Sequence, residues 1–395
     1  MSLSAQSLLA AVAAPPIAEA QGWVRGRVFP PDRPLIDVCQ AVPGYPPPDD
    51  LIRFMGQAIG DAATHRYTDI AGLPALREAL AADIRAVYAA EPVTAANVLI
   101  TAGCNQAFCL AISALAGAGD EVVLPLPYYF NYQMWLDMNG VAARHVAFQP
   151  QARGVPDLGE IAAAIGPRTR AVVLISPNNP TGAVYPAAFL NAAFELCQAR
   201  GIALVLDETY RDFRPDDAPP HGLFQRPDWP GTLVHLYSFS KVFCLTGHRV
   251  GAIVAAPALL GEIAKAMDCV AICAPHLGQR AAAWGLEALG GWRAGNTDLM
   301  RSRLAALQIA LTAGDTGYEI VSAGAYFAYL RHPHVGETST VVARRLADRQ
   351  NLLSLPGSMF GPGQDDYLRL AFANVDAGAM TTIAGRLAAD AADPF

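Results

Sequence analysis

Leu233-Val-His-Leu-Tyr237 runs into Ser238-Phe-Ser-Lys241, and Arg249 follows eight residues later, just before a second apolar run at 250–255. The first run is apolar and too short for a helix, so it reads as a buried strand. A lysine at the end of such a strand is costly, because burial disfavours its charged form. The same penalty lowers its pKa from about 10.4 and frees the amine as a nucleophile toward carbonyl compounds. The two hydroxyls before the lysine and the guanidinium after it are residue types that bind phosphate. Taken alone, the motif leaves two readings level: a Schiff-base lysine, or a lysine at a strand mouth paired with a surface carboxylate.

Three further strand ends narrow the choice. Ile202-Ala-Leu-Val-Leu206 precedes Asp207-Glu-Thr-Tyr210. Pyridoxal chemistry needs an anion beside the ring nitrogen, and a phenol beside the ring's 3′ oxygen tunes it further. Asp207 and Tyr210 have the right types for these tasks; the other reading of Asp207 is a helix N-cap. Ala171-Val-Val-Leu-Ile175 leads into Ser176-Pro-Asn-Asn179-Pro-Thr-Gly182, whose Pro, Asn and Gly mark a tight turn. Asn179 there either donates its amide to a ligand oxygen or serves only the turn. Asn97-Val-Leu-Ile100 leads into Thr101-Ala-Gly103-Cys104-Asn105-Gln-Ala107 and an apolar-periodic stretch to Leu115. A strand, a glycine turn and a helix start leave free N–H groups that bind phosphate. The turn has neither G-x-G-x-x-G nor a Walker lysine, so no nucleotide site is expected.

T-x-G, N-P-T-G, D-E-x-Y and S-x-S-K, in this order at four strand ends, resemble the class I/II aminotransferases among the fold-type I pyridoxal phosphate enzymes. The likeness continues in Ile36–Pro43, similar to the family's substrate loop, and in Tyr67-Thr-Asp-Ile-Ala-Gly72 with Leu76-Arg77. It ends with Pro356-Gly-Ser-Met-Phe-Gly361 and Tyr367-Leu-Arg369-Leu-Ala-Phe372. The resemblance spans roughly residues 30 to 375. It implies an α/β fold. A large domain, residues 46–288, would carry a mostly parallel seven-stranded sheet of the transferase type. Residues 1–45 and 289–395 would form a smaller α+β domain. The run at 250–255 would lie antiparallel to its neighbours, and ligands would sit at the strands' carboxyl ends.

The same resemblance assigns roles. Lys241 would hold pyridoxal 5′-phosphate as a Schiff base and move a proton between the substrate Cα and the cofactor. Asp207 would pair with the ring nitrogen, and Tyr210 and Asn179 would contact the 3′ oxygen. Ser238, Ser240, Arg249 and the Gly103-Cys104-Asn105 turn would hold the phosphate, joined by the partner subunit's Tyr67 in a homodimer. Tyr129 would stack on the ring, although the Tyr-Tyr-Phe run leaves Tyr128 open. Arg369 would clamp the substrate α-carboxylate, a bidentate task for which Arg suits better than Lys, with Asn179 and Ala41 beside it. The chain departs from the family pattern at Ala41, where glycine is usual, and at Gly44, where an acid often stands. Cys104 replaces a small or hydroxyl residue.

Composition bounds the partners. The net charge of −7 has no basic run behind it, so nucleic acid is not expected. A hydrophobic content of 53% against 16% charged residues provides for a core and argues against disorder. No apolar stretch approaches the roughly 18 residues of a membrane helix. The apolar start at 7–14 lacks a basic residue before Arg25 and is broken by Pro15-Pro16, so it is not expected to be a signal peptide. Seven scattered cysteines, without C-x-x-C, fit reduced thiols in a cytoplasm. The eight histidines form no ligand cluster, and no metal is expected.

Three functions are compatible with these residues. The first is an aminotransferase exchanging an amino group between an amino acid and a 2-oxo acid. The second is a lyase of the same cofactor, such as β-elimination at a cysteine thioether. The third is a cofactor-sensing transcription regulator, whose DNA-binding domain would not fit in the roughly 30 residues before the family match. No second arginine is tied to a distal carboxylate, while Val42–Pro46 and Tyr128–Tyr132 are apolar and aromatic. A neutral or aromatic amino donor is therefore expected over aspartate.

Overall fold

Each residue of Leu233–Ser238 is buried, which is why that run shows no polar alternation: it lies inside a sheet covered on both faces. The computed structural model describes residues 6–91 and 93–392. Seven strands make the larger sheet: β1 (Val98–Thr101), β2 (Glu121–Pro125), β3 (Ala142–Val146), β4 (Thr169–Ile175), β5 (Ala203–Asp207), β6 (Leu233–Ser238) and β7 (Gly251–Val254). Their order is β1-β7-β6-β5-β4-β2-β3. Strand β7 is antiparallel to both neighbours, and every other pair is parallel. The α/β fold and the antiparallel run at 250–255 are as expected from the strand-end motifs.

This topology decides where the motifs go. The carboxyl ends of β1, β4, β5 and β6 lie along one edge of the sheet. Because β7 runs the other way, its amino end reaches the same edge and brings Arg249 with it. Five sequence segments that span about 150 residues therefore open on one crevice, the usual ligand position in such sheets.

A second, antiparallel sheet holds β8 (Glu319–Gly324), β9 (Phe327–Arg331), β10 (Leu355–Pro356) and β11 (Tyr367–Leu370), in the order β10-β11-β9-β8. It has its own apolar core, which takes in Ile36 and Val38 from the start of the chain. Ile36–Asp37 pairs in parallel with Leu352–Leu353, and the backbone N–H of Ala371 donates to the carbonyl of Val38 at 2.8 Å. The early segment is thus tied to the second sheet just beyond β11, the strand that carries Arg369. Tyr210, just beyond β5, packs edge-on to Phe327 at 5.0 Å and against Tyr326 at 5.3 Å, joining the two sheets beside the crevice. Among the described residues no helix is long and apolar enough to cross a membrane, and no cluster of His, Cys, Asp or Glu is suited to hold a metal ion.

Candidate active site

A cavity of about 250 Å³ opens at this edge. Its lining includes Cys104, Asn105, Tyr129, Asn179, Asp207, Tyr210, Ser238, Ser240, Lys241 and Arg249, ten of the residues singled out in the sequence. Gln40, Val42, Ile175, Thr209 and Thr246 complete it. Tyr128 stays outside, with its ring tilted against His145 at 5.4 Å, so the cavity takes Tyr129 of the pair. Ala41, Gly103 and Arg369 stand directly behind the lining residues. Tyr67 is not brought in. It is 76% exposed and lines a separate cleft with Arg66, Cys273 and His276.

Lys241 sits on a short helical turn, Phe239–Val242, that Ser238 caps. Its Nζ donates to the carbonyl of Ala41 at 2.6 Å, which draws the 38–43 loop over the cavity. The contact uses a backbone oxygen, so alanine at 41 serves as well as glycine. Gly44 is demanded by close approach: a β-carbon there would meet the Asn374 carbonyl oxygen at 2.5 Å. Asn374 accepts from the Val42 N–H at 3.0 Å and so fixes the same loop.

Burial, helped by the positive charges of Arg249 and Arg369, lowers the Lys241 pKa from 10.5 to about 8. Only the neutral amine attacks a carbonyl, and at pH 7 about a tenth of the side chain is then neutral. If this amine is the group that joins an aldehyde such as pyridoxal phosphate, the rate of that uptake should rise about tenfold from pH 6 to 7. It should level off above pH 8. A rate still climbing through pH 10 would return this lysine to its ordinary basicity.

Asp207 is only 6% exposed. One oxygen accepts from the Thr209 N–H at 2.8 Å and lies 3.6 Å from the Cys104 thiol; the other accepts from the Tyr132 hydroxyl at 2.5 Å. Glu208, the next residue, points to the opposite face of the strand, where it accepts from Tyr88 and meets His221 and His235, each at 3.0 Å. Alternation along β5 thus puts one acid in the cavity and the other in the core.

The far end of the cavity suits an anion. Gly103, at φ +82, lets the Arg249 guanidinium lie against the turn, where any β-carbon would collide with it. Arg249 donates to the Thr246 carbonyl at 2.9 Å and faces the Ala102 carbonyl at 3.4 Å. The first N–H groups of the helix Cys104–Leu115 and the hydroxyls of Ser238 and Ser240 complete a cradle for negative charge.

Arg369 is 1% exposed and lies between the rings of Phe327 and Phe360, each 5.2 Å away. Its guanidinium donates to Asn179 Oδ1 at 3.2 Å and to the Cys39 carbonyl, while its buried Nε has no partner among the described residues. Burial lowers its pKa to about 10, so it remains a cation at neutral pH. A buried guanidinium with an N–H that no described residue accepts is suited to a carboxylate.

Sequence reasoning missed Tyr132, Gln40, Val42 and Thr209. For Tyr132 a signal existed, since Tyr129 and Tyr132 are three apart at the start of a helix and so share one side of it.

Known proteins resemble this chain over most of its length. The family described as Aminotransferase class I and II matches residues 33–387. An aromatic aminotransferase of Arabidopsis thaliana is 31% identical over 362 residues, covering 89% of this chain and 88% of that protein. An arginine–pyruvate transaminase of Pseudomonas aeruginosa is 31% identical over 332 residues, 83% of each chain. The aspartate aminotransferase of Thermus thermophilus, solved with maleate, superimposes with a TM-score of 0.88 at 25% identity. That match covers 98% of this chain and 100% of that one. With the match running nearly end to end and the crevice built from the family's motifs, this chain belongs to the class I and II aminotransferases and is an amino-group transferase.

Proposed function

We propose that the cavity binds pyridoxal 5′-phosphate and transfers the amino group of a neutral or aromatic amino acid to a 2-oxo acid. The observation that carries this reading is the order of groups along one crevice: a buried carboxylate, a lysine amine of lowered basicity, and an anion cradle. The donor set fits the cofactor at both ends, and about 250 Å³ is close to the small end of ligand sites, which run from about 300 to 1,000 Å³.

Once bound, pyridoxal phosphate supplies the electron sink for the pair freed when a substrate Cα–H bond breaks. Lys241 would hold the group at its aldehyde end and would carry the proton taken from the substrate Cα. Asp207 would supply its charge to the ring nitrogen, with Tyr210 and Asn179 for the 3′ oxygen and Tyr129 for the ring face. Ser238, Ser240, Arg249 and the Gly103-Cys104-Asn105 turn would hold the phosphate. Arg369 would take the α-carboxylate, with Asn179 and Ala41 beside it.

For the donor, the support is a few apolar side chains in an otherwise polar lining. Val42, Ile175 and Tyr129 border the cavity, with the Tyr45–Tyr326 pair, hydroxyls 3.2 Å apart, beyond the loop. Among the described residues, the one arginine of the lining itself is Arg249, at the anion end. In a panel of donors with 2-oxoglutarate and pyruvate, aromatic and neutral amino acids should lead, separated by roughly 10- to 200-fold per methylene. Aspartate with the highest kcat/KM would defeat the assignment.

A homodimer belongs to this proposal. Exposed Tyr67 neighbours the 271–276 segment, and Val270 and Ile272 are also exposed, an apolar patch suited to a second copy. A two-fold contact repeats in both sites. Mixing inactive Tyr67→Ala and Lys241→Ala chains should restore activity, because one site of each mixed dimer escapes both lesions; no recovery after subunit exchange would count against a shared site. We also place the enzyme in the cytoplasm, where its seven unbridged cysteines stay reduced.

A further inference from the structure

We propose that Tyr132 is a positioning residue, whose hydroxyl fixes the plane of the Asp207 carboxylate and so sets how that group meets the cofactor. This rests on the reading that Asp207 faces the ring nitrogen.

The geometry divides the labour on Asp207 unevenly. On the strand side, Oδ1 has two neighbours, the Thr209 N–H at 2.8 Å and the weakly donating Cys104 thiol at 3.6 Å. On the helix side, Oδ2 has Tyr132 alone among the described residues, at 2.5 Å. Without that hydroxyl the carboxylate can turn about its Cβ–Cγ bond and carry its outward lone pairs away from the cavity. A hydrogen bond from a hydroxyl to a carboxylate is among the stronger protein hydrogen bonds, and this one is dry.

Tyr132 itself cannot turn. Its ring lies flat on Phe108, with centroids 3.6 Å apart and planes 9° apart, and meets Tyr129 edge-on at 5.3 Å. Phe108 belongs to the helix Cys104–Leu115, whose first turn forms part of the anion cradle. The aromatic stack therefore references the carboxylate to the same helix that holds the other end of the ligand. Burial and the Asp207 charge both keep the phenol protonated, hence a donor at all working pH values. A tyrosine needed only for packing would behave differently, because a phenylalanine fills that stack equally well.

Tyr132→Phe in the full chain, reconstituted with pyridoxal phosphate, makes the test. The expected result is a fall in kcat of about tenfold, the equivalent of about 1.4 kcal/mol, with the donor KM unchanged. The cofactor dissociation constant, read by absorbance titration, should rise by a similar factor. In an Asp207→Asn background both effects should shrink below twofold, because the hydroxyl acts only through the carboxylate. Equal effects in both backgrounds, or an unchanged kcat and dissociation constant, would overturn the proposal. If Asp207→Asn itself alters neither quantity, the reading of Asp207 falls and this inference with it. Should Tyr132→Phe not fold, Phe108→Leu removes the stack but keeps the hydroxyl. The same cycle then applies, and the same equal effects would refute it.

Discussion

Lys241→Ala should bind pyridoxal phosphate and yet lose turnover by about 10⁴-fold or more. Two separate contributions disappear with the amine. On the proposed reading the covalent link through which the substrate amine enters is gone, and so is the base that moves the Cα proton, a step worth about 10²- to 10⁴-fold on its own. Binding survives because the cradle of Arg249, Ser238, Ser240 and the helix start at Cys104 does not involve the lysine. Composition makes the chemical test sharp. The chain has only two lysines, and the other, Lys265, lies on an exposed helix face in an ion pair with Glu262 at 2.5 Å. Borohydride reduction of the loaded protein should place the cofactor on the peptide containing Lys241 and leave Lys265 unmodified. An adduct on Lys265, or turnover within tenfold of the parent, would remove Lys241 from the chemistry.

What the sequence made legible follows from how parallel sheets are built. Each motif sits where a short buried run ends, and such runs are recognisable because strands covered on both faces carry no polar alternation. Once the runs are taken as parallel, their ends must converge, so Lys241, Asp207, Asn179 and Asn105 could be grouped before any coordinates. The antiparallel return at β7 explains Arg249 in the same terms. The contacts that escaped are of another kind. Arg369 donates to the carbonyl of Cys39, 330 residues away, and Lys241 to that of Ala41, 200 residues away. Backbone carbonyls have no side-chain signature, and these meetings depend on how the second sheet seats the early segment. Tyr128 and Tyr129 could not be told apart, because their difference arises from the turn into the helix Phe130–Met138 and not from residue type. Tyr67 lies outside the cavity of one chain, and its expected role concerns a second chain that no spacing within one sequence describes.

Asp207→Ala should lower kcat by about 10²- to 10³-fold while the protein still folds, and it should do so for a reason that a second variant can isolate. On the proposed reading the carboxylate is a fixed charge placed where electron density arrives during Cα–H cleavage, and removing one such preorganised group costs about that much in other enzymes. Alanine also leaves the Tyr132 hydroxyl, the Thr209 N–H and the Cys104 thiol without their common acceptor. Each buried donor left unmade costs roughly 1–3 kcal/mol, so a lower Tm must accompany the lost activity. Asp207→Asn keeps an acceptor for Thr209 and the volume of the side chain, but not the charge. It should therefore recover much of the Tm and almost none of the rate. That divergence is the signature of an electrostatic role, since a scaffold role would let the two recover together. Turnover within threefold of the parent for Asp207→Asn, about 0.65 kcal/mol of barrier, would show that the charge is not what the reaction uses.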